Sequence, residues 1–381
     1  MIKLLYLLDA VDGIGGTEGQ LLELLKRLDR RRFEPHLGVF RATADLEPLA
    51  ALASSVRVFG VPRLLHPMAA LKLIPVTSHV RREAFQIVHV FMNAASIAAP
   101  LFCRLGGARV IGSRRDMGFW YTPRQLAVLR ISNRFVERII ANSDAVRQHA
   151  HRLEGFPLDR MHVFYNGHDA ARFEAGPLAG FRERHNIDDD APIVGIVANF
   201  NAWKRHDDLL RAFSLVRARH PRARLVLVGG GELESPLRDA TRALRLEGAV
   251  RFVAGVRDAV PVIRHFSIGV LCSESEGFSN AVLEYMHCGK PVVTTNVGGN
   301  REIVTEGVTG FLVNPGDVES LADRIARLLD SSSLAESMGR RAAQSVRGLT
   351  SARMVESHMD LYETLARGGA GAPVPVPSQA R

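Results

Sequence analysis

The stretch Ser273-Glu274-Ser275-Glu276-Gly277-Phe278-Ser279-Asn280-Ala281-Val282-Leu283-Glu284 decides the fold class of this chain. It follows a short apolar run, Ile268–Leu271, and leads into a segment with helical spacing that ends near Cys288. Glu276 and Glu284 are eight residues apart, a separation that would rotate them by about 80° on one helix. We therefore place Glu276 in a loop after a strand and Glu284 in the second turn of the following helix.

A helix that begins at this point offers its first backbone N–H groups, near Ser279, Asn280 and Ala281, to a ligand. Such a helix start attracts anions through these donors and through the helix dipole. Neighbouring carboxylates accept hydrogen bonds from hydroxyl groups, so the arrangement suits a sugar attached to a diphosphate. On the residues alone, the alternative that both glutamates merely cap or solvate the helix stays open.

The same order of strand, loop and helix recurs along the chain in two series. Short Val/Ile/Leu runs, such as Lys3–Leu8 and Ile193–Ala198, predict strands buried on both faces. Thr17 with Gln20, and Thr122 with Gln125, match the capping-box pattern at two predicted helix starts. Repeated strand–helix units predict parallel sheets covered by helices on both faces.

A polar stretch over residues 167–192 separates the two series and predicts an interdomain linker. The predicted fold class is therefore α/β, with two Rossmann-like parallel-sheet domains facing across a cleft. The expected boundaries are an N-terminal domain over 1–175, a C-terminal domain over 190–348, a helix over 349–367 that returns to the first domain, and a disordered tail over 368–381.

Length and composition limit the class of protein. The chain has 381 residues, of which 46% are hydrophobic and 23% charged, values that exclude a wholly disordered chain, a collagen and a disulfide scaffold. No apolar run approaches the roughly 20 residues that span a bilayer. The apolar start is interrupted by Asp9 and Asp12, which favours a first strand over a signal peptide. Three cysteines without metal-type spacing are typical of a reducing cytoplasm.

The positive charge lies in the first half of the chain. Residues 1–180 hold 24 Lys and Arg against 16 Asp and Glu, whereas residues 181–381 hold 25 against 24. One explanation is a compositional bias, since Arg outnumbers Lys 44 to 5. The other explanation is an anionic partner that binds the first half of the chain. Two Trp and five Tyr without a basic-aromatic stripe argue against nucleic acid. An anionic membrane surface is the other expectation, with His66–Arg82 as a contact segment.

The stretch from Ser273 to Glu284 resembles the E-x7-E region of the retaining group 1 glycosyltransferases of the GT-B fold. Residues 289–304 and 310–313 are similar to the same family, and the resemblance extends from Leu5 to about Leu365. It implies that Glu276 contacts the transferred sugar and that Glu284 contacts the nucleotide ribose. The further donor-binding residues that it implies around the start of the helix are Phe278, Ser279, Asn280 and Ala281.

A second loop of the same kind runs from Asn199 to Arg205. In the family this loop supplies an Arg and, five residues later, a Lys, which grip the donor diphosphate. Lys204 matches the lysine and is expected to be catalytic together with Glu276, but Asn199 stands at the arginine position. Arg205 is the neighbouring cation that could assist.

Two glycine loops and three acceptor-side residues complete the expected site. Glycines after a strand allow a ligand to approach the backbone closely. The resemblance places one such loop, at Gly15 and Gly16, near the donor phosphates, and the other, at Gly229 and Gly230, near the nucleotide. The residues expected on the acceptor side are His89, Arg115 and Asp116, although a lone strand-end histidine is often structural.

The resemblance implies a retaining, metal-independent hexosyl transfer from a nucleoside-diphosphate sugar, with UDP or GDP as the expected nucleotide, to a glycan, lipid-linked or small-molecule hydroxyl acceptor. No cofactor and no metal are expected, because the sequence lacks zinc-type spacing and an Asp-x-Asp after a strand. The expected setting is polysaccharide or glycolipid synthesis in the cytoplasm, peripherally on the inner face of the membrane. A sugar-nucleotide 2-epimerase, a glycosyl phosphorylase and a catalytically weak donor-binding subunit remain as alternatives.

Overall fold

A computed structural model describes residues 1–11, 13, 15–61 and 69–368 of the chain. Residues 66–68 of the expected membrane-contact segment, and residues 369–381 of the expected tail, lie outside this described part. The chain divides into two compact units: unit 1 comprises Met1–His168 and the segment that begins at Leu349, and unit 2 comprises Asp169–Gly348. No helix in the described part is long and apolar enough to cross a membrane.

Unit 1 contains a seven-stranded parallel sheet whose strands lie in the order β3-β2-β1-β4-β5-β6-β7. Its elements are β1 Ile2–Leu8, α1 Gly16–Arg27, β2 Phe33–Val39, α2 Glu47–Ala50, β3 Val56–Val58, α3 Ala69–Arg82, β4 Ile87–Val90, α4 Asn93–Ala98, α5 Pro100–Leu105, β5 Arg109–Arg114, α6 Pro123–Ser132, β6 Arg138–Ala141, α7 Asp144–Glu154, β7 Met161–Val163 and, from the C-terminal segment, α16 Ser351–Ala366.

Unit 2 contains a six-stranded parallel sheet in the order β10-β9-β8-β11-β12-β13. Its elements are α8 Phe181–Arg184, β8 Ile193–Val197, α9 His206–Arg219, β9 Arg224–Val228, α10 Glu234–Ala243, β10 Val250–Val253, α11 Val260–Ile263, β11 Ile268–Leu271, α12 Asn280–His287, β12 Val292–Thr295, α13 Asn300–Ile303, β13 Gly310–Val313, α14 Val318–Asp330 and α15 Ser332–Ser345. The predicted class of two parallel-sheet Rossmann-like domains is confirmed.

The apolar run of β1 is continuous because both faces of the sheet are buried. Leu4, Tyr6 and Leu8 pack in a cluster with α1 and α16. Leu5 and Leu7 point to the opposite face, where they pack in a second cluster with residues of α3, α4 and α5. Since successive side chains of a strand alternate between faces, a strand covered on both sides needs apolar residues at every position.

The two predicted capping boxes have different outcomes. Thr122 and Gln125 form theirs, with the Gln125 amide donating to Thr122 Oγ1 at 3.3 Å. The Thr17–Gln20 prediction is wrong, because α1 already begins at Gly16 and places Thr17 inside the helix. The Gln20 side chain instead exchanges hydrogen bonds with the backbone of Gly167, at 3.1 and 3.2 Å.

Close packing between α12 and the sheet sets the position of α12 in unit 2. A Cβ atom on Gly269 would lie 2.4 Å from the Tyr285 ring, so only glycine fits at this point of β11. The Tyr285 hydroxyl in turn accepts a hydrogen bond from the Val197 amide at 2.7 Å, at the end of β8. The first turn of α12 is thereby held at the carboxyl edge of the sheet.

Candidate active site

The start of α12 has the form that the sequence predicts. Ser279 caps the helix, and its hydroxyl oxygen accepts a hydrogen bond from the Val282 amide at 3.3 Å. The helix begins at Asn280, so Glu276 lies in the preceding loop and Glu284 in the second turn. Phe278 and Ser279 are buried, whereas Asn280 and Ala281 are partly exposed. The backbone amides of this first turn form the positive end of the helix.

Lys204 and Glu276 form an ion pair between the loop after β8 and the loop after β11. Lys204 Nζ lies 2.6 Å from Glu276 Oε1, and the two side chains are 20% and 10% exposed. Two further contacts join these loops: the Glu274 amide donates to the Trp203 carbonyl at 2.8 Å, and the Cys272 thiol lies 3.2 Å from the Lys204 carbonyl. The two expected catalytic residues are therefore held side by side at one edge of the sheet.

Glu284 is also paired with a cation, and the sequence did not reveal its partner. Arg172 donates to Glu284 Oε1 at 2.7 Å and to Asp258 Oδ1 at 2.6 Å. Burial raises the pKa of the Glu284 carboxyl, and the Arg172 guanidinium opposes that rise. Arg172 is separated from Glu284 by 112 positions and lies in the polar stretch predicted as a linker, where no local pattern marks it.

Arg205 and Asn199 differ in what they contribute to this edge. Arg205 occupies the N-cap position of α9 in a left-handed conformation, with φ of 51°. Its guanidinium donates to Asp208 at 2.5 Å and lies 3.5 Å from Glu274, so its charge is balanced by two carboxylates. Asn199 is exposed in the same loop and brings no charge.

The second glycine loop packs against the loop that carries Asn199. Gly229 has a φ of 150°, and a Cβ atom there would lie 2.1 Å from the Ala198 carbonyl oxygen. The Phe200 amide donates to the Gly230 carbonyl at 2.8 Å. A Cβ atom on Gly230 would meet no described atom within 4 Å. Internal packing therefore requires glycine at Gly229, whereas the surface at Gly230 is open.

In unit 1 the expected phosphate-side glycines stand at the start of α1. Gly15 is the N-cap residue of the helix, and Gly16 is its first residue. Asp9 follows β1 and accepts a hydrogen bond from the Ala94 amide at 2.8 Å, in the first turn of α4. Burial raises the pKa of Asp9 to about 6.

The expected acceptor-side residues Arg115 and Asp116 follow β5 in unit 1. Arg115 donates to Asn166 Oδ1 at 2.5 Å, and burial lowers its pKa to about 10. Asp116 accepts a hydrogen bond from the Gly118 amide at 2.8 Å, and burial raises its pKa to about 6. Both groups pay a desolvation cost in their charged forms, as ionisable groups in ligand sites often do.

His89 is a core residue in this structure, and its position does not support the expected acceptor contact. Its side chain is 1% exposed, and burial holds its pKa well below the usual range. Nδ1 lies 2.7 Å from the Tyr362 hydroxyl and Nε2 lies 2.9 Å from the Ser113 hydroxyl. Both ring nitrogens thus have partners within unit 1, which corresponds to the structural alternative.

Among the described residues, no three His, Cys, Asp or Glu side chains come close enough together to hold a metal ion. Two of the cation–carboxylate pairs at the edge of the unit 2 sheet, Lys204–Glu276 and Arg172–Glu284, include the expected glutamates. Together with the start of α12, they could bind a polyhydroxylated anion.

Comparison with known proteins relates both units to glycosyltransferases. The family described as glycosyl transferases group 1 matches residues 180–345, and glycosyltransferase family 4 matches residues 14–172. The N-acetyl-alpha-D-glucosaminyl L-malate synthase of Bacillus anthracis is 28% identical over 298 residues, which are 75% of this chain and 77% of that protein. The D-inositol 3-phosphate glycosyltransferase of Saccharomonospora viridis is 30% identical over 59% of this chain, and the match spans 55% of that protein's length.

The fold is shared with solved GT-B structures. HepE of Anabaena in complex with UDP superposes with a TM-score of 0.83 over 95% of this chain and 100% of that chain, at 21% identity. A structure of HepE in complex with UDP-glucose superposes with a TM-score of 0.83, at 22% identity, over 96% of this chain and 100% of that chain. With a match in each unit and this shared fold, the chain belongs to the group 1 glycosyltransferases of the GT-B type.

Proposed function

We propose that the chain is a retaining glycosyltransferase that moves a hexose from a nucleoside diphosphate to a hydroxyl acceptor, in the synthesis of a polysaccharide or glycolipid. The observation that carries this proposal is the Lys204–Glu276 pair beside the start of α12. UDP is the favoured nucleotide because HepE, which has the same fold, was solved with UDP and with UDP-glucose.

Stabilisation of the leaving diphosphate is the main catalytic task in this proposal. Lys204 and the first amides of α12 place positive charge where the diphosphate gains negative charge. The ammonium group has three donors, so Lys204 can keep its bond to Glu276 and also contact a phosphate oxygen. The positive charge comes from the protein, which is why we propose a metal-independent reaction.

Each glutamate has its own part of the donor. Glu276, held beside Lys204, accepts hydrogen bonds from hydroxyls of the transferred sugar. Glu284 accepts hydrogen bonds from the ribose through Oε2, while Arg172 on Oε1 keeps the carboxylate ionised and oriented. Arg172 is thus a positioning residue that acts on the donor through Glu284.

The proposed transfer takes place on one face of the sugar. The bond between the anomeric carbon and the diphosphate oxygen breaks, and a bond from that carbon to the acceptor oxygen forms on the same face. The proton of the acceptor hydroxyl passes to the departing phosphate oxygen, so no protein base is needed. We assign acceptor binding to unit 1. There Arg115 and Asp116 directly follow β5, at the carboxyl end of the strand, where ligands of parallel sheets bind.

We propose that the acceptor is presented at the inner face of a membrane, with the protein on the cytoplasmic side. The support for this setting is the basic excess of residues 1–180.

The test compares two Lys–Glu pairs in the same chain. K204A and E276A are each expected to lower kcat for transfer from UDP-hexose about 10²–10³-fold, the usual cost of removing one preorganised charge-stabilising group. The matched controls are K26A and E23A, which remove a 3.1 Å pair from the surface of α1; they should leave transfer unchanged. Near-normal transfer by both K204A and E276A would contradict the assignment.

Product analysis separates the alternatives. Proton NMR of the product should show the anomeric configuration of the donor, and transfer should persist in EDTA. Formation of a 2-epimer in the absence of acceptor would favour the epimerase. A product that forms only with inorganic phosphate would favour the phosphorylase. Donor binding without turnover would favour a binding subunit.

A further inference from the structure

We propose that Arg264 is a positioning residue for recognition of the donor's ribose, which it serves by fixing the chain segment that carries Arg172. This segment comprises residues 170–178, and we call it the strap. The inference rests on the proposed function, in which Glu284 accepts hydrogen bonds from the ribose. Arg264 is not among the residues proposed to contact the donor, and it lies in unit 2 together with the strap and Glu284.

The strap cannot hold its position by itself. Its first part, Ala170–Glu174, is a 3₁₀ helix in which no residue is buried. Helices of this kind are short and have poor hydrogen-bond geometry, so they depend on their surroundings. The second part, residues 175–178, is exposed. The place of the strap in unit 2 must therefore come from contacts that other elements make with it.

Arg264 supplies two of these contacts. It directly follows α11, and its guanidinium donates to the Ala175 carbonyl at 3.0 Å through Nε and to the Phe173 carbonyl through Nη2. A guanidinium is planar and rigid, so two such bonds fix the course of the backbone that they hold. Since Phe173 is the next residue after Arg172, this anchor lies one peptide unit from the residue that it positions.

The strap and Arg264 are both tied to the end of α12. The Arg264 carbonyl accepts a hydrogen bond from Lys290 Nζ at 2.8 Å, just after the helix. His287, the last residue of α12, stacks on the Phe173 ring, with ring centroids 4.5 Å apart and planes inclined by 19°. The strap is therefore fastened to the same helix that carries Glu284.

Helix α11 holds Arg172 from both of its ends. Asp258, which precedes α11, accepts from the Arg172 guanidinium at 2.6 Å, while Arg264, which follows α11, holds the adjacent backbone. Arg172 in turn donates to Glu284 Oε1 at 2.7 Å. Charge-assisted hydrogen bonds are short, so a displacement of the strap by about 1 Å would break this bond. Loss of Arg264 should therefore act on the ribose through Arg172 and Glu284.

Arg251 provides a matched control in the same unit. Its guanidinium also donates to two backbone carbonyls of a neighbouring segment, His185 at 2.5 Å and Asn186 at 3.2 Å. That segment carries none of the residues proposed to contact the donor. R264A and R251A thus remove similar anchors, but only the anchor at Arg264 leads to the ribose.

Calorimetric titration with UDP and with 2′,3′-dideoxy-UDP tests the inference, because the second nucleotide lacks both ribose hydroxyls that could bind Glu284. The wild type should bind UDP at least about tenfold more tightly, which is the usual contribution of a hydrogen bond to a charged group. R264A, like R172A, should lose most of this preference, because UDP binds more weakly while the binding of dideoxy-UDP is unchanged. R251A should keep the preference of the wild type.

The possible outcomes distinguish this inference from the proposed function. A wild type that binds both nucleotides equally would overturn the ribose role of Glu284 and the role of Arg264 with it. A preference that R172A loses and R264A keeps would overturn the role of Arg264 alone. An equal loss of affinity for both nucleotides in R264A would also overturn it, because such a loss indicates general damage to unit 2.

Two further variants test the route from Arg264 to the ribose. R264K keeps one donor group in place of the fork, so its preference for UDP should lie between those of R172A and the wild type; it replaces R264A if that variant does not fold. R172A/R264A should bind UDP as weakly as R172A and no more weakly, because Arg264 acts through Arg172. A wild-type preference in R264K, or an additional loss in the double variant, would overturn the proposal.

Discussion

Each unit of the molecule contains a buried glutamate paired with an arginine, and the two pairs are built differently. In unit 1, Arg114 binds both carboxylate oxygens of Glu154 at 2.7 Å, and Asn133 bridges them by accepting from Arg114 and donating to Glu154. In unit 2, Arg172 donates one hydrogen bond to Oε1 of Glu284, and another of its N–H groups donates to Asp258. The Arg172 side chain is 29% exposed, against 6% for Arg114.

The difference distinguishes a structural ion pair from a functional one. The Arg114–Glu154 pair is satisfied by its own chain and is closed to solvent, so it can act only on the stability of unit 1. The Arg172–Glu284 pair lies next to the start of α12, with a partly exposed arginine, and a ligand can share its carboxylate. Under the proposed function, similar residues serve folding in one sheet and donor binding in the other.

Removal of Arg114 should have the largest effect. R114A leaves the Glu154 carboxylate buried without its cation and should lower the free energy of unfolding by about 3–5 kcal/mol. Urea unfolding measures the loss. The control R147A removes a surface pair with Asp144 and should cost less than about 1 kcal/mol. Equal losses in R114A and R147A would contradict the structural role.

Removal of Arg172 should have a smaller effect on stability and a clear effect on donor binding. R172A should destabilise the chain by about 2 kcal/mol, because partial exposure lets water solvate Glu284. The KM for UDP-hexose should rise more than kcat falls, since the proposed ribose contact would be present in both ground and transition states. R172K should recover part of the affinity.

The same variants test the comparison directly. UDP should raise the melting temperature of R114A as much as that of the wild type, and that of R172A by less, because a nucleotide that binds more weakly stabilises the folded state less at the same concentration. An R172A protein with reduced stability but an unchanged KM would place this pair in the same class as Arg114–Glu154.

Buried histidines should give both units an acid-dependent loss of stability. Burial lowers the pKa of His162 in unit 1 and of His206 in unit 2 to about 4. The neutral ring is the folded form, so the stabilisation is complete above pH 6.5 and is lost as the pH falls toward 4. H162L and H206L should each reduce the pH dependence of unfolding in this window by up to about 1.4 kcal/mol per pH unit. The prediction would be refuted if the free energy of unfolding of each variant fell between pH 7 and pH 5 by as much as that of the wild type.

The smallest expected effect concerns the departure from the family pattern at Asn199. N199R adds a cation to the loop that carries Lys204, and Asn199 is exposed, so the side chain can be accommodated. Transfer should rise several-fold in kcat/KM, equivalent to about 1 kcal/mol of added charge stabilisation. N201R is the control in the same loop. An N199R enzyme that is slower than the wild type would show that this loop does not face the diphosphate.

Most secondary structure follows from local pattern. The predicted strand Ile268–Leu271 coincides with β11, and the helical segment expected to end near Cys288 is α12, which ends at His287. Proline also acts locally, since the helical stretch between β4 and β5 is divided into α4 and α5 just before Pro100. Local spacing also placed Glu276 in the loop and Glu284 in the second turn, because both positions depend only on where one strand ends and one helix begins.

Contacts between distant parts of the chain could not be predicted in this way. Arg172 lies in a stretch whose composition indicates only a linker, and its two carboxylate partners come from other loops. Likewise, nothing in the sequence around His89 predicts that one of its ring nitrogens forms a hydrogen bond with the Tyr362 hydroxyl, 273 positions away. The hydrogen-bonding capacity of a side chain is a property of its type, but its use depends on what is packed beside it.

Local sequence patterns were enough to specify the series of parallel-strand units, the loops at which chemistry is possible, and the types of group that those loops bring. Periodicity and turn residues act over a few positions, so they can specify these features locally. Tertiary contacts settle which cation holds each glutamate and how α16 packs into unit 1, through Tyr362 and Leu365. Those outcomes depend on burial and on partners far apart in the chain, which come together only when the sheets are covered.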